Sequence, residues 1–77
     1  MDSLEQIREF IKGLLEMKGV PSDVSDNEPL LTAGLIDSMD VLQTVLFLEE
    51  NFGLDFSIHP FNPDDFDSIV SIHGLVV

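Results

Sequence analysis

The sequence has no cysteine, no tryptophan and no tyrosine among its 77 residues. Without cysteine, the chain can form neither a disulfide nor a thiolate metal site. It contains no apolar run long enough to span a membrane, and its N-terminus lacks the basic and apolar regions of a secretory signal. The length is sufficient for one domain, so we expect residues 1–77 to form a single cytoplasmic domain.

Basic residues are also scarce. Arg8, Lys12 and Lys18 face 15 acidic residues, which gives a formal net charge of −12. Such a surface repels the phosphates of nucleic acids and steers association towards basic patches on partner proteins. The acidity is equally consistent with a simple role in solubility. The hydrophobic fraction of 44%, arranged periodically, argues against disorder.

The N-terminal segment predicts an amphipathic helix. Ser3 and Gln6 fit a capping box, and Gly19 is expected to end the helix. Residues 19–36 form a long connection, whose interspersed apolar side chains should pin it to the rest of the domain. The acidic segment that begins at Asp23 does not have the glycine at the sixth position and the glutamate at the twelfth that an EF-hand loop requires. No metal site is therefore expected.

A second helix is predicted to begin within the stretch GLIDSMD, at residues 34–40. Asp37 fits the N-cap, Ser38 the first helical position and Asp40 the third. The Ser38 hydroxyl would then lie beside unpaired backbone N–H groups. A phosphate there is stabilised by the helix dipole and by these N–H groups, although Asp37 and Asp40 oppose it locally.

This helix carries two apolar stripes. One fits a core face and consists of Val41, Val45, Leu48 and Phe52. The second lies roughly 90–150° away around the helix and consists of Met39, Leu42 and Leu46. Phe47 fits neither stripe. Either both stripes are buried beneath the connection, or the second is an exposed docking face with a carboxylate rim.

The C-terminal part predicts short helical pieces. Asn62 fits the cap of a single turn that begins at Pro63, and Phe66, Ile69 and Ile72 recur at helical spacing. No useful segment alternates with period two. We therefore expect an all-α domain, a small four-helix bundle made of three main helices and one short helical turn.

Intrinsic catalysis is not expected. His59 and His73 are the two histidines, and neither lies in a motif that would make Ser38 a nucleophile. The residues around Ser38 differ from the G-x-S-x-G elbow of serine hydrolases. The sequence also lacks a glycine-rich phosphate cradle.

The pattern L-x-x-x-G-L-I-D-S-M-D, followed by a helix that ends L-E-E-N-F and later by F-D-S-I, resembles the acyl carrier proteins over nearly the whole chain. In that family the serine carries 4′-phosphopantetheine, which a phosphopantetheinyl transferase adds from coenzyme A. The thiol of the arm holds cargo as a thioester, so the chain itself needs no cysteine. The resemblance implies that Ser38 is the attachment site, with Asp37 beside it, and that the protein is a carrier and not an enzyme.

The resemblance also implies a partner-recognition face, formed by Met39, Asp40, Leu42, Gln43, Leu46, Glu49 and Glu50. The implied partners are the phosphopantetheinyl transferase, an acyl- or aminoacyl-loading ligase, and synthase enzymes with basic docking patches. We expect a monomeric protein with neither a nucleic acid nor a membrane as partner.

Two features depart from the members that serve fatty-acid synthesis. Gln43 stands where those members commonly have a glutamate, and the segment 56–63 is longer than theirs. This spacing is more similar to stand-alone aminoacyl or peptidyl carriers, including the D-alanyl carriers, and the lack of a flanking linker favours a discrete carrier. The cargo stays open between fatty acyl, polyketide and aminoacyl groups. So does the alternative of an unmodified docking or regulatory protein that uses the same face.

Overall fold

The computed structural model describes residues 2–56 and 62–76. These residues contain no strand. They form α1 (Ser3–Met17), α2 (Ser38–Phe52), a 3-10 turn (Pro63–Phe66) and α3 (Ile69–His73). The all-helical class is therefore confirmed for these residues, whereas a four-helix bundle stays a prediction. The predictions for residues 57–61, which include His59, lie outside the described residues.

Helix α1 begins at Ser3, and its cap, Asp2, lies one residue before the predicted cap. The carboxylate of Asp2 accepts a hydrogen bond of 2.8 Å from the Glu5 backbone N–H, and Ser3 is already helical. The predicted Ser3 cap is therefore wrong. A carboxylate is a strong acceptor, and its charge is favoured by the helix dipole at this position. The predicted end is confirmed, because α1 stops at Met17 and Gly19 adopts a left-handed φ of 74°.

The core lies where α1 packs against both α2 and α3. Its buried side chains are Ile7, Ile11, Leu14, Leu15, Leu30, Ile36, Val41, Leu48, Phe66, Ile69 and Ile72. The predicted pinning of the connection is confirmed, because Leu30 and Ile36 are fully or almost fully buried. Phe47, which the helical pattern left unassigned, stacks on Phe10 of α1 with ring centroids 4.2 Å apart. This contact is one of those that join α1 to α2.

The middle of the connection is held by an ion pair. Arg8 of α1 donates from Nε and Nη2 to the two carboxylate oxygens of Asp26, at 2.9 and 2.8 Å. The backbone carbonyl of Asp26 accepts a further hydrogen bond of 3.0 Å from the Val70 N–H in α3. Because Asp26 contacts two helices, the long connection follows one path across the domain.

Asp67 holds the part of the connection that precedes α2. Its carboxylate accepts hydrogen bonds from the Leu31 and Thr32 N–H groups, at 2.8 and 2.9 Å, and from the Thr32 hydroxyl at 2.9 Å. Its backbone carbonyl accepts from the Leu30 N–H at 2.6 Å. The hydrogen bonds from Thr32 hold the pKa of Asp67 below its ordinary value of 3.8. The carboxylate is therefore ionised at neutral pH.

The substitution Asp67→Asn is expected to lower the free energy of unfolding at neutral pH, because a neutral amide accepts these hydrogen bonds less strongly. A lowered pKa in the folded state stabilises the protein above the ordinary pKa, and this contribution is lost as the pH falls through the lowered pKa. The stability difference between wild type and Asp67→Asn should therefore be present above pH 3.8 and disappear in acid. Urea unfolding of both proteins across this range measures it.

Protonation of the other surface carboxylates changes the free energy of unfolding of wild type and of Asp67→Asn equally. The difference between the two free energies therefore reports on Asp67 alone. Asp23→Asn, at an exposed position of the connection, is the matched control and should show no comparable pH-dependent difference. A wild-type advantage over Asp67→Asn that stays constant from neutral pH into acid would contradict the role of the Asp67 charge.

Candidate functional site

Ser38 is the first residue of α2 and is exposed, in the position predicted from the sequence. The chain reaches it through a tight turn, in which the Leu35 and Ile36 N–H groups donate to the Leu30 carbonyl at 2.8 and 3.2 Å. Gly34 has a φ of 76° in this turn, a conformation that glycine adopts without strain. The turn and the buried Ile36 fix the backbone two residues before Ser38.

The start of α2 is closed by a reciprocal capping box. The Asp37 Oδ1 atom accepts from the Met39 and Asp40 N–H groups at 3.0 and 3.1 Å, and Asp40 Oδ2 accepts from the Asp37 N–H at 3.1 Å. The predicted positions of Asp37 and Asp40 in the cap are confirmed. The hydrogen bond from the Asp40 backbone is the main cause that holds the pKa of Asp37 below its ordinary value.

This cap corrects one expectation about the helix start. Unpaired backbone N–H groups were expected beside Ser38, but those of Met39 and Asp40 both donate to Asp37. The field of the helix dipole still acts on an anion at Ser38, in the first turn. An anion on Ser38 is also repelled by the carboxylate of Asp37. Neighbouring cations therefore affect how strongly an anion is disfavoured at this position.

Lys18, the residue that follows α1, contacts this cap. Its ammonium group donates to Asp40 Oδ2 at 2.6 Å and to the Leu35 carbonyl at 3.0 Å. Asp40 is only 6% exposed. The Asp40 side chain is therefore buried against Lys18, which argues against its predicted place on the partner-recognition face. The helical pattern missed this because the position of Lys18 depends on how α1 and α2 pack.

The second stripe of α2 is exposed. Met39, Leu42 and Leu46 expose 63%, 52% and 53% of their surface. The alternative in which both stripes are buried is therefore wrong. The polar side chains predicted beside this stripe, those of Gln43, Glu49 and Glu50, are also exposed.

The core stripe of α2 is buried in part. Val41 and Leu48 are buried, while Val45 and Phe52 are partly buried. The sequence pattern missed Thr44, which is 1% exposed and donates from its hydroxyl to the Asp40 carbonyl at 2.8 Å. A threonine whose hydroxyl bonds the preceding turn is accommodated on a core face because no polar group is left unpaired.

Two clefts flank the exposed stripe. The larger, of about 490 Å³, opens beside Ser38 and is lined by Leu31, Ser38, Met39, Val41, Leu42, Val45 and Pro63. Leu31 and Pro63 come from the connection and the 3-10 turn, so the sequence pattern of α2 could not identify this cleft. The smaller, of about 240 Å³, is lined by Phe10, Gln43, Leu46, Phe47 and Glu50. It continues the exposed stripe onto α1.

Within residues 2–56 and 62–76, no three histidine, aspartate or glutamate side chains come together to hold a metal ion. In the same residues, no helix has the length and apolar character needed to cross a membrane.

A comparison with curated proteins finds aminoacyl carrier protein 1 of Bradyrhizobium diazoefficiens. It is 28% identical over 76 residues, which cover 99% of this chain and 83% of the relative. No family model matches the chain, and no solved structure matches it. The similarity supports, at a coarse level, a place among carrier proteins, and it suggests a carrier role.

Proposed function

We propose that this protein carries an acyl or aminoacyl group as a thioester on a 4′-phosphopantetheine arm attached to Ser38. The observation that carries the proposal is the position of Ser38, exposed at the capped start of a helix whose next exposed residues form an apolar stripe. The aminoacyl carrier relative supports it over almost the whole length of the chain. The protein has no catalytic role of its own in this proposal.

The residues around Ser38 fit such an arm. The hydroxyl is at the surface, while the flanking backbone is held by the Asp37 cap and by the buried Ile36. A phosphodiester at the first turn lies in the favourable field of the α2 dipole. The arm supplies the thiol that the cysteine-free chain lacks.

Partner enzymes are proposed to dock on the exposed face of α2, which consists of Met39, Leu42, Gln43, Leu46, Glu49 and Glu50. The apolar members offer contact area and the carboxylates attract basic patches. The formal charge of −12 extends this attraction over the whole molecule. The proposed partners are a phosphopantetheinyl transferase, a loading ligase and downstream synthase enzymes, which meet a monomeric carrier in the cytoplasm.

Aminoacyl cargo is the narrower form of the proposal. Its support is the similarity to aminoacyl carrier protein 1, together with Gln43 at a position where the carriers of fatty-acid synthesis commonly have a glutamate. Incubation of the arm-bearing protein with ATP, an amino acid mixture and an adenylating ligase, followed by mass spectrometry, separates aminoacyl from fatty acyl loading.

The proposed attachment is tested by incubating the purified protein with coenzyme A and a broad-specificity phosphopantetheinyl transferase. The intact mass is expected to rise by one phosphopantetheine group. A protein that gains no mass, and that also lacks the arm when purified from its native host, would overturn the carrier proposal. If such a protein still binds partner enzymes through α2, it is the unmodified docking or regulatory protein of the alternative.

A further inference from the structure

Lys18 joins the end of α1 to both sides of Ser38. Its ammonium group lies 3.0 Å from the Leu35 carbonyl, before Ser38, and 2.6 Å from Asp40 Oδ2, after it. The pair Lys18–Asp40 spans 22 positions of sequence. The side chain of this one residue, which follows α1, therefore holds both the turn that leads to Ser38 and the first turn of α2.

The same carboxylate oxygen completes the cap of α2. Asp40 Oδ2 accepts from Lys18 and also from the Asp37 N–H at 3.1 Å. The Asp40 side chain is 9% exposed, and a carboxylate in such surroundings is costly unless it is paired and hydrogen-bonded. Without the ammonium group, Asp40 would turn towards water and release the Asp37 N–H. The backbone on either side of Ser38 would then lose a constraint.

Lys18 also sets the charge at the site. Two carboxylates, those of Asp37 and Asp40, flank Ser38, and a phosphodiester would add a third negative charge. Of the three basic residues, Arg8 pairs with Asp26 in the middle of the connection, whereas Lys18 pairs with Asp40. The Lys18–Asp40 pair has no net charge, so Asp40 adds little to the repulsion that Asp37 exerts on an anion at Ser38.

We propose that Lys18 is a positioning residue for the modification of Ser38. It holds residues 35–40 in the conformation that presents the Ser38 hydroxyl, and it offsets the charge of Asp40 where the phosphodiester is added. This role rests on the proposed attachment of the arm at Ser38. Lys18 follows the C-terminal end of α1 and does not belong to the exposed face of α2.

The test compares three variants as substrates of a broad-specificity phosphopantetheinyl transferase with coenzyme A. Lys18→Met removes the ammonium group and keeps an unbranched stem, Lys18→Arg keeps a cation, and Lys12→Met makes the same charge change elsewhere on α1. We expect Lys18→Met to lower kcat by about tenfold with KM for the carrier changed less than about twofold. Lys18→Arg should recover most of the rate, and Lys12→Met should behave as wild type.

A fourth variant separates a positioning role from a general loss of folding. Lys18→Met combined with Asp40→Asn removes both charges and keeps an amide oxygen that can accept from Asp37. Because the unpaired buried carboxylate is gone, this double variant should fold as wild type by circular dichroism and recover part of the lost kcat. Amide hydrogen exchange at Asp37 and Asp40 should be faster in Lys18→Met than in Lys12→Met.

The outcomes are distinct. If wild type is modified and Lys18→Met matches it in kcat, the role of Lys18 is overturned while the carrier function stands. A rise in KM alone would make Lys18 a contact of the transferase and would also overturn a positioning role. A double variant that folds but stays as slow as Lys18→Met likewise contradicts it. If wild type neither gains the arm in this assay nor carries it when purified from its native host, both the carrier function and the role of Lys18 are overturned.

Discussion

The substitution Ser38→Ala is expected to abolish attachment of the phosphopantetheine arm while leaving the fold intact. The hydroxyl is the only nucleophile at this position, so its removal leaves no atom to which the phosphate can be bonded. The side chain is exposed, and the cap of α2 is made by Asp37. Stability should therefore change by less than about 0.5 kcal/mol. Intact-mass spectrometry after incubation with the transferase and coenzyme A measures the first effect, and urea unfolding the second.

The matched control is Ser25→Ala, which removes the hydroxyl of another exposed serine in the connection. It should gain one phosphopantetheine group at the wild-type rate. A full gain of mass by Ser38→Ala would place the attachment elsewhere and remove the basis of the proposed function. If neither Ser38→Ala nor Ser25→Ala gains the mass of a phosphopantetheine group, the effect of Ser38→Ala is not specific to the Ser38 hydroxyl.

The double substitution Leu42→Ser/Leu46→Ser is expected to weaken the binding of the phosphopantetheinyl transferase by about tenfold to a hundredfold. Each leucine exposes about half of its surface. Covering that half on binding is worth about 1 kcal/mol for each side chain, and every 1.4 kcal/mol is about tenfold in affinity. The substitution leaves the net charge unchanged, so the electrostatic attraction of basic partners is retained. Titration calorimetry with the transferase measures the affinity.

Met17→Ser and Val70→Ser are the controls for this prediction, since both remove exposed apolar surface, 85% and 44% exposed, outside α2. They should bind as wild type. The double variant should raise KM for the carrier more than it lowers kcat, which is the reverse of the pattern expected for Lys18→Met. Equal affinity of the double variant and wild type would show that α2 is not the docking face for this enzyme.

The local features of the site could be predicted from the sequence because they depend on neighbours in the chain. The Asp37 cap, the start of α2 at Ser38 and the end of α1 before Gly19 follow from capping chemistry and from the left-handed glycine. The separation of two apolar stripes on α2 follows from the period of the helix. The pattern around Ser38 also indicated a carrier protein, which the aminoacyl carrier relative supports at a coarse level.

The tertiary structure decided the features that join distant residues. Whether the second stripe is buried depends on the path of the connection, and the anchors at Asp26 and Asp67 leave Met39 and its neighbours exposed. The burial of Asp40 depends on Lys18, which α1 places beside the cap. The sequence alone therefore determined the end of α1, the start of α2 and the position of Ser38. Packing determined which faces meet solvent, because a side chain's neighbours in space come from several parts of the chain.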